Sequence, residues 1–180
     1  MRIRLLAAII AVISGAIWGQ AAMPKKIHQE GFSIIGIEAR TSNALEMKGG
    51  GEIPKQWQKF YQDGVQQKIA SRADANVYAV YTDYASDRNG EFSFVIGVRV
   101  NASATVPLGM VLKKIPTGDY ALFTSEKGPV GKVVAAAWQQ VWALEAKARL
   151  ARAYKADFEV YDSRATDPQN SQVDLYVGLK

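Results

Sequence analysis

The residues of this sequence best suited to binding or catalysis are acidic residues that lie among aromatic residues near the end of the chain. Glu159 lies in the segment Asp157 to Tyr161, whose alternating residue types are typical of a short strand. Strand alternation places Glu159 and Tyr161 on one face. Asp174 and Tyr176 share a face of the last predicted strand. If these faces meet in one cleft, both carboxylates stand among tyrosines and tryptophans.

Such a cleft favours one type of ligand. An ionised carboxylate in apolar surroundings is costly alone, and an incoming cation offsets that cost. Aromatic walls add cation–π attraction of about 0.5–2 kcal/mol for each well-placed ring. The pattern therefore predicts binding of a lipophilic cation or a flat aromatic compound. Two other roles stay open for Glu159, as a solvated strand residue or as the partner of an arginine such as Arg99 or Arg149.

Composition excludes several other kinds of site. The chain has 180 residues, no cysteine and one histidine, so the sequence offers neither disulfides nor thiol chemistry. A catalytic triad or a histidine-rich metal site would have to be built around His28, and we predict neither a metal nor a cofactor. The formal charge is +5, but no long basic run occurs, so nucleic-acid binding is not expected.

The elements that would position these residues follow the order strand, helix, strand, strand, and then the same order again. The first predicted helix spans 53–70, with Pro54 at its start and an aromatic stripe that we interpret as core. The second begins at Gly128-Pro129, shows the clearest helical period in the chain and runs to about Leu150. The predicted strands are 32–40, 77–84, 92–100, 108–115, 120–125, 158–162 and 172–179.

This order indicates an internal duplication. The pair Trp57-Gln58 recurs as Trp138-Gln139, and Gly97 recurs as Gly178 at the same spacing. The same spacing relates Glu159 to Tyr78. We therefore predict an α+β fold made of two strand–helix–strand–strand repeats, about 27–101 and 107–180. Its sheet would be curved and mostly antiparallel, with two main helices and a cleft between the repeats.

The N-terminus predicts export. Arg2 and Arg4 precede an apolar run from Leu5 to Ile17, and Gly19-Gln20-Ala21 offers small residues for a cleavage site. The apolar run is short for a membrane span. Residues 1–22 are therefore predicted to be a signal peptide, with an uncleaved anchor as the alternative, and residues 23–180 a single domain. Either way we expect a periplasmic or otherwise exported protein whose only membrane contact would be an uncleaved signal.

Several segments occur in an order that identifies a family. They are Val-Tyr-Ala-Val-Tyr-Thr-Asp-Tyr (77–84), Ile-Pro-Thr-Gly-Asp-Tyr-Ala-Leu-Phe (115–123), Gly128, Trp138 with Trp142, Asp-Phe-Glu-Val-Tyr (157–161) and Val-Asp-Leu-Tyr-Val (173–177). The ordered set resembles the GyrI-like effector-binding domain, the small-molecule-binding module of many AraC- and MerR-type regulators. The resemblance covers about Phe32 to Lys180.

The resemblance implies a duplicated fold with a ligand cleft between the repeats. Members bind hydrophobic, often cationic compounds, and the acidic determinant of the family falls on Glu159. Matched aromatic residues would line the cleft, with plain core packing as the alternative for each. The expected ligand-binding residues are Glu159, Tyr78, Phe94, Tyr120, Trp138, Trp142, Tyr161, Asp174 and Tyr176.

Regulators carry a DNA-binding domain before this module, whereas here a predicted signal peptide stands in that place. We therefore expect a stand-alone, exported protein that captures a lipophilic, cationic or aromatic compound. One alternative is a hydrolase of reactive electrophilic compounds, in which Glu159 acts on a water with help from Tyr120 or Asp174. Another is a protein-interaction module of the cell envelope, for which the sequence names no protein partner.

Overall fold

The computed structural model describes residues 23–180, and the predicted signal or anchor, residues 1–22, lies outside the described residues. Within residues 23–180 the chain forms eight strands and four helices. The strands are β1 (Lys25–Gln29), β2 (Phe32–Ser42), β3 (Val77–Thr82), β4 (Glu91–Val100), β5 (Val111–Ile115), β6 (Gly118–Thr124), β7 (Arg152–Tyr161) and β8 (Asp174–Leu179). The helices are α1 (Asn43–Met47), α2 (Ile53–Gln62), α3 (Val65–Lys68) and α4 (Val130–Ala146), and a 3₁₀ turn covers Ser163–Ala165.

All strands belong to one sheet in the order β1-β6-β8-β7-β3-β4-β2-β5. Every neighbouring pair is antiparallel, so the predicted α+β class with a mostly antiparallel sheet is confirmed. None of the helices formed by residues 23–180 is long and apolar enough to cross a membrane.

The strand order is that of two related halves. β6-β8-β7 with α4 mirrors β2-β4-β3 with α2, and β7 meets β3 at the centre of the sheet. β1 precedes β2 in the chain but pairs with β6, whereas β5 precedes β6 but pairs with β2. Each half therefore supplies the edge strand of the other, which ties the two halves into one sheet.

The sheet is strongly curved. Phe32 of β2 and Phe158 of β7 pack edge to face with ring centroids 5.3 Å apart. These strands are three positions apart in the sheet, a separation of about 14 Å in a flat one. The curvature encloses an apolar cluster on the face that no described helix covers, formed by Phe32, Ile34, Tyr78, Val80, Val95, Ile115, Tyr120, Ala156 and Phe158.

The helices cover the opposite face in two clusters. Phe60 of α2 and Val65 of α3 pack with Phe94 and other residues of β2, β3 and β4. Val141 of α4 packs with Leu175 of β8 in the second cluster. Tyr161 packs against both clusters, and thus lies where the two helical layers meet.

The first helix is shorter than predicted. The sequence pattern indicated one helix over 53–70, but α2 ends at Gln62 and the short helix α3 follows. Gly64 separates them with a φ of 58°, a left-handed conformation that interrupts a right-handed helix and favours glycine. In the second repeat, α4 ends at Ala146, before the predicted end near Leu150.

Other boundaries also differ from the predictions. β7 begins at Arg152, ahead of the predicted start at Phe158, and its pairing with β8 shifts register between Arg152 and Asp157. Tyr154 lies in that interval with a φ of 53°, so the irregular section breaks the alternation that would have revealed a longer strand. The polar strand β1 and the short helix α1 were not predicted.

Candidate ligand-binding cleft

A cavity of about 560 Å³ lies between α2 and α4. Strands β3 and β7 supply Tyr81, Glu159 and Tyr161 to it, and α2 supplies Trp57 and Tyr61. The rest of its wall comes from Ile53, Pro54, Val130, Gly131, Val134, Ala135, Ala165, Pro168 and Ser171. The volume is in the range of small-molecule sites, and the wall is mainly apolar with a few polar groups, as such sites are.

The carboxylate of Glu159 is a deeply buried charged group in this cleft, with the residue only 1% exposed. Three side chains donate hydrogen bonds to it. The Tyr81 hydroxyl and the Trp138 indole N–H donate to Oε1 at 2.8 and 2.6 Å. The Tyr161 hydroxyl donates to Oε2 at 2.7 Å. These neutral donors offset part of the cost of burying the group.

Burial raises the pKa of Glu159 above its ordinary value, and the hydrogen bonds from Trp138, Tyr161 and Tyr81 lower it only in part. Burial, followed by the charge of Glu159, raises the pKa of Tyr81 and Tyr161 well above their usual range. Both hydroxyls therefore keep their protons and act as donors. Among residues 23–180, no lysine, arginine or histidine forms an ion pair with Glu159. The carboxylate thus has donors but no cation.

Sheet register explains why these groups meet. Ala79 of β3 pairs with Glu159 of β7, and Val77 pairs with Tyr161. Directly paired residues share a face, so the odd-numbered residues of β3, including Tyr81, point to the face of Glu159. The helical period of α4 brings Trp138 down onto that face, where its ring packs edge to face with Tyr81 at 5.0 Å between centroids.

The rings of the cleft support one another. Trp57 stacks on Tyr61 one helical turn later, with centroids 5.9 Å apart and an interplanar angle of 23°. Trp57 also packs edge to face against Tyr161 at 4.7 Å. Tyr61 is 66% exposed, an unusual state for a large ring, and leaves an aromatic surface at the mouth of the cleft.

Glu46 holds the start of α2 in place. Its Oε1 accepts hydrogen bonds from the backbone N–H groups of Glu52 and Ile53 at 2.8 and 3.3 Å, and from the Thr41 hydroxyl at 2.5 Å. A carboxylate at a helix N-terminus satisfies free N–H groups and interacts favourably with the helix dipole. Glu46 therefore ties α2, which carries the outer aromatic wall, to strand β2.

A smaller cavity of about 180 Å³ adjoins the first. Ile53, Tyr81 and Ala135 line both cavities. The aromatic part of the smaller wall comes from Tyr81, Tyr84, Phe92, Trp138 and Trp142, and Arg152 also lines it.

Arg152 and Asp157 form a buried ion pair beside the smaller cavity. Arg152 is 4% exposed and Asp157 is fully buried, and their closest nitrogen–oxygen distance is 2.5 Å. Asp157 also accepts from the Tyr84 hydroxyl at 2.7 Å and from the Gly178 backbone N–H at 2.8 Å. The Arg152 guanidinium lies 4.3 Å from the ring centroid of Tyr154. This network fixes the irregular start of β7.

The structure brings together five of the residues predicted from the sequence. Glu159 and Tyr161 line the larger cavity, and Trp142 lines the smaller one. Trp138 lines the smaller cavity and donates to Glu159. Phe94 is fully buried behind Tyr81, with ring centroids 5.3 Å apart. The expectation that Glu159 pairs with Arg99 or Arg149, or is solvated, is wrong.

Four predicted residues lie on the opposite face of the sheet. Tyr78 pairs with Val160, and Asp174 pairs with that same residue from the other side. Because paired residues share a face, both point away from Glu159. Tyr176 pairs with Phe158, and Tyr120 pairs with Gly178, so these two residues also lie on the face away from Glu159. The expectation that the four residues share one cleft with Glu159 is therefore wrong.

These side chains have structural contacts of their own. The Tyr120 hydroxyl donates to the backbone oxygen of Pro116 at 3.0 Å. Tyr176 stacks on Phe158 at 4.5 Å between centroids. Asp174 accepts from Arg164 at 2.5 Å and from Thr124 at 2.7 Å. The sheet separates Tyr120 and Asp174 from Glu159, so neither can assist it in the hydrolysis considered above.

The sequence reasoning missed three aromatic residues of the cleft. Trp57 and Tyr61 belong to the stripe that we interpreted as core, but they line the cavity while Phe60 is buried beneath. Tyr81 was missed because the internal spacing related Glu159 to Tyr78. Any even spacing between β3 and β7 preserves the face of each residue and would have related Glu159 to the side of β3 that carries Tyr81.

Comparisons with known proteins agree with a small-molecule site. A family model described as integron-associated effector binding protein, Cass2, matches residues 27–179. The protein YobU of Bacillus subtilis (strain 168), named as a candidate transcriptional regulator, is 32% identical over 148 residues. That alignment covers 82% of this chain and 91% of YobU.

Solved structures share the fold. An integron cassette protein from the mobile metagenome of Vibrio cholerae has a TM-score of 0.68 and 27% identity, covering 88% of this chain and 96% of that one. A structure of the protein SAV2435 bound to tetraphenylphosphonium also has a TM-score of 0.68, at 18% identity, covering 88% of this chain and 94% of that one. At the lower identity the likeness concerns the fold alone.

Within residues 23–180, no group of three or more histidine and acidic side chains is arranged to hold a metal ion.

Proposed function

Because the chain belongs to the Cass2 family of integron-associated effector-binding proteins, a GyrI-like family of small-molecule-binding domains, we propose that it captures lipophilic organic cations between α2 and α4. The observation that carries this proposal is the state of Glu159. It is fully buried, it accepts three hydrogen bonds from neutral donors, and it forms no ion pair with the described residues.

A cation is the ligand that this site lacks. An ionised carboxylate away from water is stabilised by hydrogen bonds but gains much more from a nearby positive charge. Inorganic cations and small ammonium ions keep strong hydration shells, which an aromatic wall cannot replace. A lipophilic cation with its charge spread among apolar groups gives up little hydration. Trp57, Tyr61 and Tyr161 offer ring faces and edges to such groups.

The solved neighbour bound to tetraphenylphosphonium supports this proposal by analogy of fold. Tetraphenylphosphonium is an organic cation covered by phenyl rings, which is the chemistry that we infer from this cleft. The cavity of about 560 Å³ also has the size of typical sites for compact drug-sized molecules.

Isothermal titration with a matched pair of compounds tests the proposal. Methyltriphenylphosphonium is a cation, and triphenylphosphine oxide is a neutral molecule of nearly the same shape. We expect the described domain to bind the cation at least tenfold more tightly than the oxide. Equal affinity for the two compounds would show that the cleft recognises shape alone, and no binding of either would reject it as a site for such molecules.

We also propose that capture takes place outside the cytoplasm. The proposal rests on Arg2 and Arg4, on the apolar run from Leu5 to Ile17 and on the small residues Gly19 and Ala21. Fractionation of cells that express the full chain, followed by N-terminal sequencing of the product, tests it. We expect an exported protein that begins near Ala22 or, with an uncleaved anchor, an intact chain in the membrane fraction. A soluble intact chain in the cytoplasm would contradict export.

A further inference from the structure

The smaller cavity meets the cleft at a partition formed by Ile53, Tyr81 and Ala135, which line both cavities, and by the neighbouring ring of Trp138. Tyr81 lies in the wall of both cavities, whereas Trp138 lines only the smaller one. Their rings pack edge to face, and both donate to Oε1 of Glu159, at 2.8 and 2.6 Å. The carboxylate that we assign to cation recognition therefore also holds the partition between the cavities.

The smaller cavity has the dimensions and surface of a site for one aromatic ring. Its volume of about 180 Å³ is close to the roughly 150 Å³ of an apolar cavity that holds benzene. Tyr84, Phe92 and Trp142 add aromatic surface to it. The two charged side chains of its wall are already engaged: Arg152 is paired with Asp157 at 2.5 Å, and Glu46 accepts hydrogen bonds from Thr41, Glu52 and Ile53. The ring therefore needs no charge of its own.

We propose that this cavity is a second subsite, which takes an aryl arm of a cation whose charged centre lies beside Glu159. The proposal rests on the proposed function and narrows the ligand class to organic cations that carry a ring on a short flexible linker. A compact cation occupies only the larger cavity. An arm enters the smaller one when Tyr81 or Trp138 turns aside.

Charge explains why the partition can open. Turning either ring away removes a hydrogen bond from a buried carboxylate, which is unfavourable when the cleft is empty. A bound cation compensates, because its attraction for Glu159 replaces the missing donor. A neutral molecule with the same arm provides no such compensation. The partition therefore opens to the arm of a cation and stays closed to a neutral analogue.

Two neighbouring glutamines of α4 provide a matched test. Gln139 lines the smaller cavity only, whereas Gln140 lines neither, and both are exposed. Gln139→Trp places a bulky side chain at the smaller cavity without changing the larger one. Gln140→Trp makes the same change elsewhere on the helix and serves as the control.

The measurement is the affinity of wild type and both variants for two phosphonium cations. One is methyltriphenylphosphonium and the other is (3-phenylpropyl)triphenylphosphonium, which adds a ring on a short linker. We expect the arm to improve affinity about tenfold or more in wild type and in Gln140→Trp, and less than threefold in Gln139→Trp. The affinity of the methyl compound should be the same in all three.

The outcomes separate this proposal from the proposed function. If the methyl compound binds wild type but the arm adds nothing, the cleft binds cations and the second subsite is rejected. If the gain from the arm survives in Gln139→Trp, the arm lies elsewhere and the subsite is rejected too. If neither cation binds wild type, the proposed function is rejected, and the second subsite is rejected with it. Thermal melting of both variants verifies folding, and the unchanged affinity for the methyl compound verifies an intact cleft.

Discussion

Replacing Glu159 by glutamine changes the charge of the cleft with little change in shape. The side chain is fully buried and accepts hydrogen bonds from Tyr81, Trp138 and Tyr161. Glutamine keeps an oxygen that can accept from Tyr81 and Trp138, and its amide group can donate to the Tyr161 hydroxyl. The variant is therefore expected to fold, while a bound cation loses its opposite charge.

The size of the effect follows from Coulomb's law. The phenyl groups of methyltriphenylphosphonium hold its charge centre about 7 Å from a carboxylate, where an effective dielectric constant of about 20 gives an attraction of about 2.4 kcal/mol. That attraction corresponds to a loss of affinity of about 50-fold. The raised pKa of Glu159 reduces the loss at acidic pH, because part of the wild-type protein is then already neutral.

Titration calorimetry above neutral pH measures this loss directly. The control variant is Glu126→Gln, which removes the same charge from an exposed position and should change affinity less than twofold. Triphenylphosphine oxide should bind the Glu159→Gln variant as well as it binds wild type. If Glu159→Gln binds the cation as tightly as wild type, or if Glu126→Gln weakens it equally, the reasoning about the buried carboxylate is refuted.

Three other predictions follow from the same contacts. Affinity for methyltriphenylphosphonium should rise with pH through the titration of Glu159, because only the ionised form attracts the cation. The stability of the ligand-free protein should fall over the same interval, because the raised pKa lets the folded state hold a proton that the unfolded chain has released. Calorimetry and urea denaturation measure these two trends, and neither should occur in Glu159→Gln. Trp57→Ala should weaken binding of the same cation about tenfold. Trp142→Ala changes the smaller cavity only, so its affinity for the cation should stay within about threefold of wild type. Equal losses of affinity in the two titrations would contradict the assignment of the two cavities. Arg152→Met should lower the free energy of unfolding by about 3–5 kcal/mol, since it leaves the fully buried Asp157 without its cation, and a loss below about 1 kcal/mol in urea would contradict this account of the network.

The sequence predicted the elements of the fold better than their ends. Apolar alternation and the helical period of α4 are local signals, and they located β4, β8 and the start of α4 closely. The break at Gly64 could not be read from the pattern, because a glycine within a helical period is compatible with either an interrupted or a continuous helix. β1 is a polar edge strand, so it carries little of the apolar alternation on which strand prediction depends.

The candidate site was predicted in part, for a similar reason. Alternation within β7 correctly placed Glu159 and Tyr161 on one face, since that inference needs only one strand. Placing Asp174 with them required the register between β7 and β8, which depends on pairing between distant segments and was guessed wrongly. The helix aromatics Trp57 and Phe60 have the same sequence signal, and only the packed structure separates the one at the cleft from the one in the core.

A crystal structure of residues 23–180 with methyltriphenylphosphonium is the most direct test of the central claim. We expect the phosphorus to lie between α2 and α4, with phenyl groups against Trp57 and Tyr161 and with Glu159 as the nearest carboxylate. A cation bound on the other face of the sheet, beside Asp174 and Tyr176, would contradict it.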